Sequence, residues 1–290
     1  MEQFDIAIIG TGPAGLSAAL TATIRNKRIV LFGRKSLSEK VEKAHVVENY
    51  LGLPHTSGAD MARAFQIHLD SLGITITDER VTAVYSMGDY FALQTSNNSM
   101  IGAATVILAT GMVTARPYDG EVKFLGRGVS YCATCDAPLY KGKAVAVIGV
   151  STEEEAEADF LAEVASKLYY FPLYKGDVNV SPKIEVVREV PKSIDGGLKV
   201  ATLKTSASEY VVDGVFILRQ SVAPGQLVPG LSMEENHVAV TRQMETNIKG
   251  LFACGDATGR PYQYIKAAGE GNVAALAAVA YMDQKRRESK

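Results

Sequence analysis

Phe4-Asp5-Ile6-Ala7-Ile8-Ile9-Gly10-Thr11-Gly12-Pro13-Ala14-Gly15 is the stretch on which the fold turns. Residues 4–9 carry the apolar run of a buried strand, and residues 16–24 read as an alanine-rich helix. Between them stands G-x-G-x-x-G. Gly10 allows a tight turn, Gly12 lets a pyrophosphate approach the backbone, and Gly15 lets helix and strand pack closely. Phosphates then meet the positive end of a helix. Strand, glycine turn and helix in that order predict a dinucleotide-binding unit. One expected piece is missing, because the next strand, residues 28–32, ends in Gly33-Arg34-Lys35 with no carboxylate for the adenosine ribose.

Outward from this unit, residues 36–58 form a polar connection that closes on Glu48-Asn49-Tyr50-Leu51-Gly52. A helix is expected over 59–72, with Met61, Phe65 and Leu69 as core residues at helical spacing. Strands are expected over 81–84, 90–93 and 104–108. The last runs into Ala109-Thr110-Gly111, a small-residue turn suited to a bound cofactor, and residues 112–117 read as a linker.

The linker delivers Ser130-Tyr131-Cys132-Ala133-Thr134-Cys135-Asp136. Two thiols at this spacing serve zinc, a structural disulfide or redox chemistry. Structural zinc needs four nitrogen or sulfur ligands; only Cys254 remains, and His45, His55, His68 and His237 are scattered, so no metal is expected. A disulfide across so short a loop restrains little of the unfolded chain. A redox pair is the stronger reading, with Asp136 as a carboxyl able to protonate a leaving thiolate.

Residues 143–148 open a second unit of the same kind, but its turn is broken. After Gly149 come Val150-Ser151-Thr152-Glu153-Glu154-Glu155, so Ser151 replaces the second glycine and Glu154 the third small residue. Glutamates in the first helical turn favour the helix dipole and repel a pyrophosphate. The next strand, 167–171, leads to Pro172-Leu173-Tyr174-Lys175-Gly176, which lacks the arginine cluster a 2′-phosphate needs; no NADPH is expected. Residues 184–218 alternate like antiparallel strands around a turn at 195–197, and 224–230 read as a loop. A short strand ends in Cys254-Gly255-Asp256, with Cys254 an inert buried thiol, and a final helix is expected over 264–282, followed by a solvated Lys285-Arg286-Arg287.

A chain of 290 residues with 47% hydrophobic and 21% charged residues accommodates about two ordinary domains. Its net charge of −2 argues against general nucleic-acid binding. Three cysteines make no extracellular framework. Neither a signal sequence nor a membrane span is read, so a cytoplasmic location is expected, where CxxC is more often catalytic than structural.

Taken together, Gly10–Gly15, Glu48-Asn49-Tyr50, Ala109-Thr110-Gly111, Cys132–Asp136, Gly255-Asp256 and Pro261-Tyr262-Gln263 resemble the low-molecular-weight thioredoxin reductases over nearly the whole chain. The resemblance implies an α/β protein of two Rossmann-like, three-layer ββα domains. The FAD domain would be discontinuous, residues 1–114 and 243–290, with residues 115–242 inserted and carrying the CxxC. It implies a homodimer, FAD as cofactor, thioredoxin as partner, and domain rotation that exposes the reduced thiols. Carried over, Gly10, Gly12, Pro13, Ala14 and Gly15 hold the pyrophosphate, Asn49 and Gln263 touch the flavin ring, Asp256 the ribityl chain and the Val81 backbone the adenine. Gly33, Arg34, Lys35, Ala109, Thr110, Gly111, Gly255 and Tyr264 complete the cofactor set. Cys135 is the flavin-proximal thiol and Cys132 the one that attacks thioredoxin.

Departures concentrate in the inserted domain. The second glycine motif is degraded at residues 149–154, the family's His-Arg-Arg-Asp segment has no counterpart after Tyr169-Tyr170-Phe171, and Arg219 stands where a glycine is expected; Ser36 to Lys40 replaces Gly-Gly-Gln. This combination resembles the ferredoxin-dependent flavin thioredoxin reductases. A ferredoxin at about −400 mV lies roughly 130 mV below thioredoxin at about −270 mV, which releases about 6 kcal/mol for two electrons. Ferredoxin is therefore the expected donor, docking on Arg25, Lys27, Arg28, Arg34 and Lys35. The rival readings are an NAD(P)H-dependent thioredoxin reductase, a flavin-dependent dithiol oxidase, and a non-enzymatic flavoprotein that binds partners according to its disulfide state.

Overall fold

β1 (Glu2–Ile9) is the centre of the first sheet in the computed structural model, which describes residues 1–42, 44–111, 117–131, 133–218 and 223–288. It is followed by α1 (Pro13–Ile24), β2 (Ile29–Phe32), α2 (Glu39–Glu42), α3 (Gly58–Ser71), β3 (Ile76–Thr77), β4 (Val81–Ser86), β5 (Phe91–Thr95) and β6 (Met100–Leu108). The polar connection predicted over 36–58 therefore contains one short helix, α2. Strand order is β3-β2-β1-β6-β5-β4, parallel through β6 and antiparallel beyond it. Ser57 caps α3, its hydroxyl accepting the Asp60 amide at 3.1 Å, as a polar residue ahead of a helix is expected to do.

The second unit holds α4 (Glu121–Phe124), β7 (Val129–Ser130), α5 (Ala133–Asp136), β8 (Ala144–Gly149), α6 (Glu155–Val164), β9 (Lys167–Pro172), β10 (Glu185–Val186), β11 (Pro191–Gly196), β12 (Val200–Thr205), β13 (Glu209–Val211) and β14 (Gly214–Leu218). β10-β9-β8-β14-β7 is an all-parallel sheet, and β11-β12-β13 a separate antiparallel meander. The period-two alternation of strands explains the layering. Val145, Val147, Phe216 and Leu218 pack with Ala158 and Leu161 of α6, whereas Ala146, Ile148, Val215 and Ile217 pack with Ile194, Val200 and Leu203 of the meander. Residues 184–218 are thus not uniformly antiparallel. β10 and β14 join the parallel sheet, since β14 is buried at every position and needs a neighbour on each side.

The chain returns through α7 (Pro224–Leu227), β15 (Met233–Glu234), β16 (His237–Val238), β17 (Leu251–Ala253) and α8 (Tyr264–Glu288). The final helix runs past the predicted 282. Its tail is only partly solvated, because Lys285 pairs with Asp89 at 2.9 Å and Arg286 approaches Asp5 at 3.8 Å. β5 pairs with the first half of β6, and β17 with the second half, Leu251↔Val106 to Ala253↔Leu108. The compact units are residues 1–95, 99–113 and 223–290 in the first, and 96–98 with 114–222 in the second. The return thus precedes the predicted 243, because Leu227, Val228 and Val238 bury their side chains as α7 and β16 pack within the first unit. Among the described residues, no helix is long and apolar enough to cross a membrane, and no cluster of three or more metal-ligating side chains is present.

Candidate active site

The first glycine turn is shaped by what its side chains leave out. Gly10 has φ +121°, and a Cβ there would lie 2.2 Å from the Ala109 carbonyl oxygen. A Cβ on Gly15 would lie 1.8 Å from the Gly10 oxygen, but one on Gly12 would meet nothing within 4 Å. Gly10 and Gly15 are therefore fixed by protein contacts, and Gly12 by the open space in front of it. Gly12 caps α1 without a side-chain hydrogen bond, and Pro13 and Ala14 begin the helix. Its unpaired first-turn amides face that space, where an anion is favoured.

Three further segments converge on this turn. Ala109 donates to the Ile9 carbonyl at 2.8 Å, which places Ala109-Thr110-Gly111 against Gly10. Thr110 Oγ1 is buried and has no hydrogen-bond partner; an orphaned hydroxyl here fits a bound polar ligand. Gly33 packs on the Thr11 side chain, where a Cβ would lie 2.6 Å from Cγ2, and Arg34 and Lys35 continue beyond the sheet edge. Gly255 packs against Ala14, and Gly271 of α8 lies so near that a Cβ would be 2.0 Å from the Ala14 oxygen.

Asp256 stands in a one-turn 3-10 segment, Gly255–Thr258, held by a pair that sequence reading missed. Lys266 Nζ donates to the carbonyls of Gly255 and Gly259, each at 2.9 Å, and pairs with Glu270 at 3.0 Å. Glu270 Oε2 in turn accepts the Gly255 amide and the Thr258 hydroxyl, each at 2.9 Å. The i,i+4 spacing of opposite charges in an alanine-rich helix is the signal that could have marked it. Asn49 and Gln263, distant in sequence, are joined by an amide hydrogen bond of 2.5 Å, and Tyr264 donates to the Lys40 carbonyl at 2.8 Å. Burial, and secondarily Asp256, pushes the Tyr264 phenol up. Val81 is buried at the start of β4, a short step beyond Thr77. Cys254 is enclosed, and burial together with Glu270 raises its thiol well above the usual range, as an inert thiol requires.

Cys132 lies outside the described residues. Cys135 and Asp136 are in α5 of the second unit. The segment leading to them is anchored by Glu121, a fully buried carboxylate that accepts the Tyr118 amide at 2.8 Å and the Tyr131 hydroxyl at 2.9 Å. Asp136 is half-buried and, after burial itself, raises the Tyr140 phenol.

The second glycine turn differs in kind from the first. Ser151 and Glu154 form a capping box, the Ser151 amide and hydroxyl donating to Glu154 Oε2 at 2.7 and 2.8 Å. Glu154 is buried, and desolvation pushes its carboxyl up despite those bonds. A Cβ on Gly149 would lie 2.3 Å from the Tyr170 hydroxyl. That hydroxyl meets Tyr174 at 3.2 Å, and Tyr174 donates to Glu155. Arg188, beside Tyr174, gives its guanidinium to the carbonyls of Tyr174 and Gly176. Groups that would hold a dinucleotide in an open turn are here bound to the protein itself.

The predicted basic face is smaller in the fold than in the sequence. Lys27 is largely buried against Asp283 at 3.5 Å. Arg28 pairs with Glu2, donates to the Gln3 carbonyl at 2.9 Å and lies 4.7 Å from the Phe4 ring centre. Both cations are engaged in ion pairs, while Arg25 and Lys35 are exposed and Arg34 is half-buried.

Residues 4–164 match the family model of pyridine nucleotide-disulphide oxidoreductases. A crystal structure of a ferredoxin-flavin thioredoxin reductase from Clostridium acetobutylicum is 53% identical, with a TM-score of 0.91 and 99% of each chain covered. The thioredoxin reductase of Helicobacter pylori is 32% identical over 97% of this chain and 99% of its own. That of Aquifex aeolicus is also 32% identical, over 99% of this chain and 95% of its own. An open glycine turn at the head of a parallel sheet, a Cys-x-x-Cys sequence and full-length likeness to such enzymes have one meaning: the chain belongs to the pyridine nucleotide-disulphide oxidoreductase family, as a homologue of thioredoxin reductases.

Proposed function

We propose that the protein is a flavoprotein disulfide reductase that takes electrons from reduced ferredoxin and passes them, through FAD and the Cys132–Cys135 pair, to thioredoxin. The observation that carries this reading is the contrast between the two glycine turns: the first is open before Gly12, whereas the second is filled by Glu154 and closed by Tyr170. A nicotinamide dinucleotide would have to displace a capping box and leave a buried carboxylate beside its pyrophosphate. The 53% identity to a ferredoxin-flavin thioredoxin reductase supports the same donor.

In this reading the first unit holds FAD, with Gly10, Gly12, Pro13, Ala14 and Gly15 at the pyrophosphate, Thr110 as a hydroxyl partner, Asp256 at the ribityl chain and Asn49 with Gln263 at the ring. FAD, when bound, couples one-electron delivery to two-electron reduction of a disulfide. The disulfide takes up two electrons and two protons to become a dithiol, and Asp136 supplies or receives a proton at the thiol of Cys135. Cys132, as thiolate, then attacks a sulfur of the thioredoxin disulfide. Cys135 attacks the mixed disulfide, which releases reduced thioredoxin and restores the Cys132–Cys135 bond. Thioredoxin, ferredoxin and a homodimeric assembly are the partners this reading carries.

The test is anaerobic. Reduced ferredoxin is expected to bleach the flavin and sustain thioredoxin reduction, while NADPH and NADH at millimolar concentration do neither. Rapid bleaching by NADPH would assign the chain to the nicotinamide-dependent reductases. Fast oxygen consumption with small dithiols, and no reaction with ferredoxin, would assign it to the dithiol oxidases.

A further inference from the structure

The first unit lacks the carboxylate that ordinarily closes β2 and holds the adenosine ribose of a dinucleotide. Its place is approached from the neighbouring strand. β3 runs parallel to β2 with Phe32 opposite Thr77. The Thr77 carbonyl accepts two amides, Gly33 at 3.1 Å and Glu79 at 2.8 Å, so these residues hang side by side at the C-terminal edge of the sheet. Gly33 also packs on Thr11 of the glycine turn. Glu79 therefore stands at the same sheet end as Gly10–Gly15, beside the residue where the missing carboxylate would begin.

The Glu79 side chain is half-buried, and its Oε2 is shielded from water with no hydrogen-bond partner. A carboxylate oxygen in that condition requires a donor. Lysine or arginine would satisfy it as a salt bridge, but neither of the adjacent arginines, Arg34 and Arg80, reaches Glu79 Oε2, and Lys35 is exposed. A ribose presents two adjacent hydroxyl donors at the height of β2's end, which is the chemistry this acceptor lacks.

Resting on the flavin-dinucleotide reading above, we infer that Glu79 is the ribose-binding carboxylate of this protein, supplied by the end of β3 instead of the end of β2. The tested quantity is cofactor affinity, read by flavin fluorescence as the holoprotein is diluted. FAD is compared with an analogue whose adenosine ribose lacks both hydroxyls. Glu79→Ala is expected to weaken FAD by about tenfold to a hundredfold, the range for a hydrogen bond to a charged acceptor. Glu79→Gln, which keeps an acceptor oxygen and nearly the same shape, should lose less. The dihydroxyl-free analogue should bind wild type and both variants alike. Unchanged FAD affinity in Glu79→Ala, or an equal loss for FAD and the analogue, would overturn the inference while leaving the flavin reading intact. A wild type that binds neither compound would overturn both.

Discussion

Gly12 and Gly15 are identical residues three positions apart, yet they are required for opposite reasons. A Cβ at Gly15 would collide with the Gly10 backbone, whereas a Cβ at Gly12 meets no protein atom. Gly15→Ala should therefore destabilise the fold, by about 1–3 kcal/mol as an overpacked contact. Gly12→Asp should fold normally and lose flavin, on the order of a hundredfold or about 3 kcal/mol, because the carboxylate faces the pyrophosphate. Thermal unfolding of the two proteins alongside flavin retention separates the cases. A Gly12→Asp protein that keeps its flavin would show that the open space is not the phosphate site. The need for small residues was legible in the motif. Which neighbour Gly10 excludes was not, because Ala109 reaches the turn from a strand distant in sequence.

At the scale of elements, α8 does more than cover the sheet. Its first two turns carry Lys266 and Glu270, both about one-fifth exposed, and these hold the Gly255–Gly259 segment at four points, three backbone groups and the Thr258 hydroxyl. The pair keeps Asp256 in one orientation, so it positions the residue without touching a ligand itself. Glu270→Gln would leave Lys266 without its counter-charge in a partly enclosed setting, at a cost of about 1–3 kcal/mol. The expected outcome is a lower urea midpoint together with a changed near-UV dichroism of the bound flavin. A lower midpoint with an unchanged flavin signal would reduce the pair to a stability role. The sequence displayed the spacing, but an i,i+4 pair on a helix is usually a solvated one, and only the packing of α8 against the 3-10 turn makes this pair interior.

At the scale of the molecule, two units of the same layered build have been given different tasks by their turns. The first leaves its helix amides open; the second satisfies them with Ser151 and Glu154. Electron input from a nicotinamide is thereby expected to be absent, and the second unit is left with the thiols. Cys132→Ser should accordingly retain a flavin that ferredoxin reduces at the wild-type rate, while thioredoxin reduction falls on the order of a thousandfold or more. Stopped-flow bleaching measures the first and turnover the second. Residual thioredoxin turnover near wild type would remove Cys132 from the nucleophile's role.

The sequence by itself determined the strand-turn-helix at residues 4–24, the CxxC-Asp and the break in the second glycine motif. Each of these is written in neighbouring residues, where steric need and periodicity act over a few positions. Tertiary structure alone decided that β10 and β14 join a parallel sheet, that the chain returns to the first unit at residue 223, that Lys27 turns inward onto Asp283 and that Arg28 pairs with Glu2. It also decided that Asn49 meets Gln263 and that Glu79 stands beside Gly33. Those are pairings between distant segments. Their free energies depend on which strand a neighbour happens to be, and no local pattern carries that information.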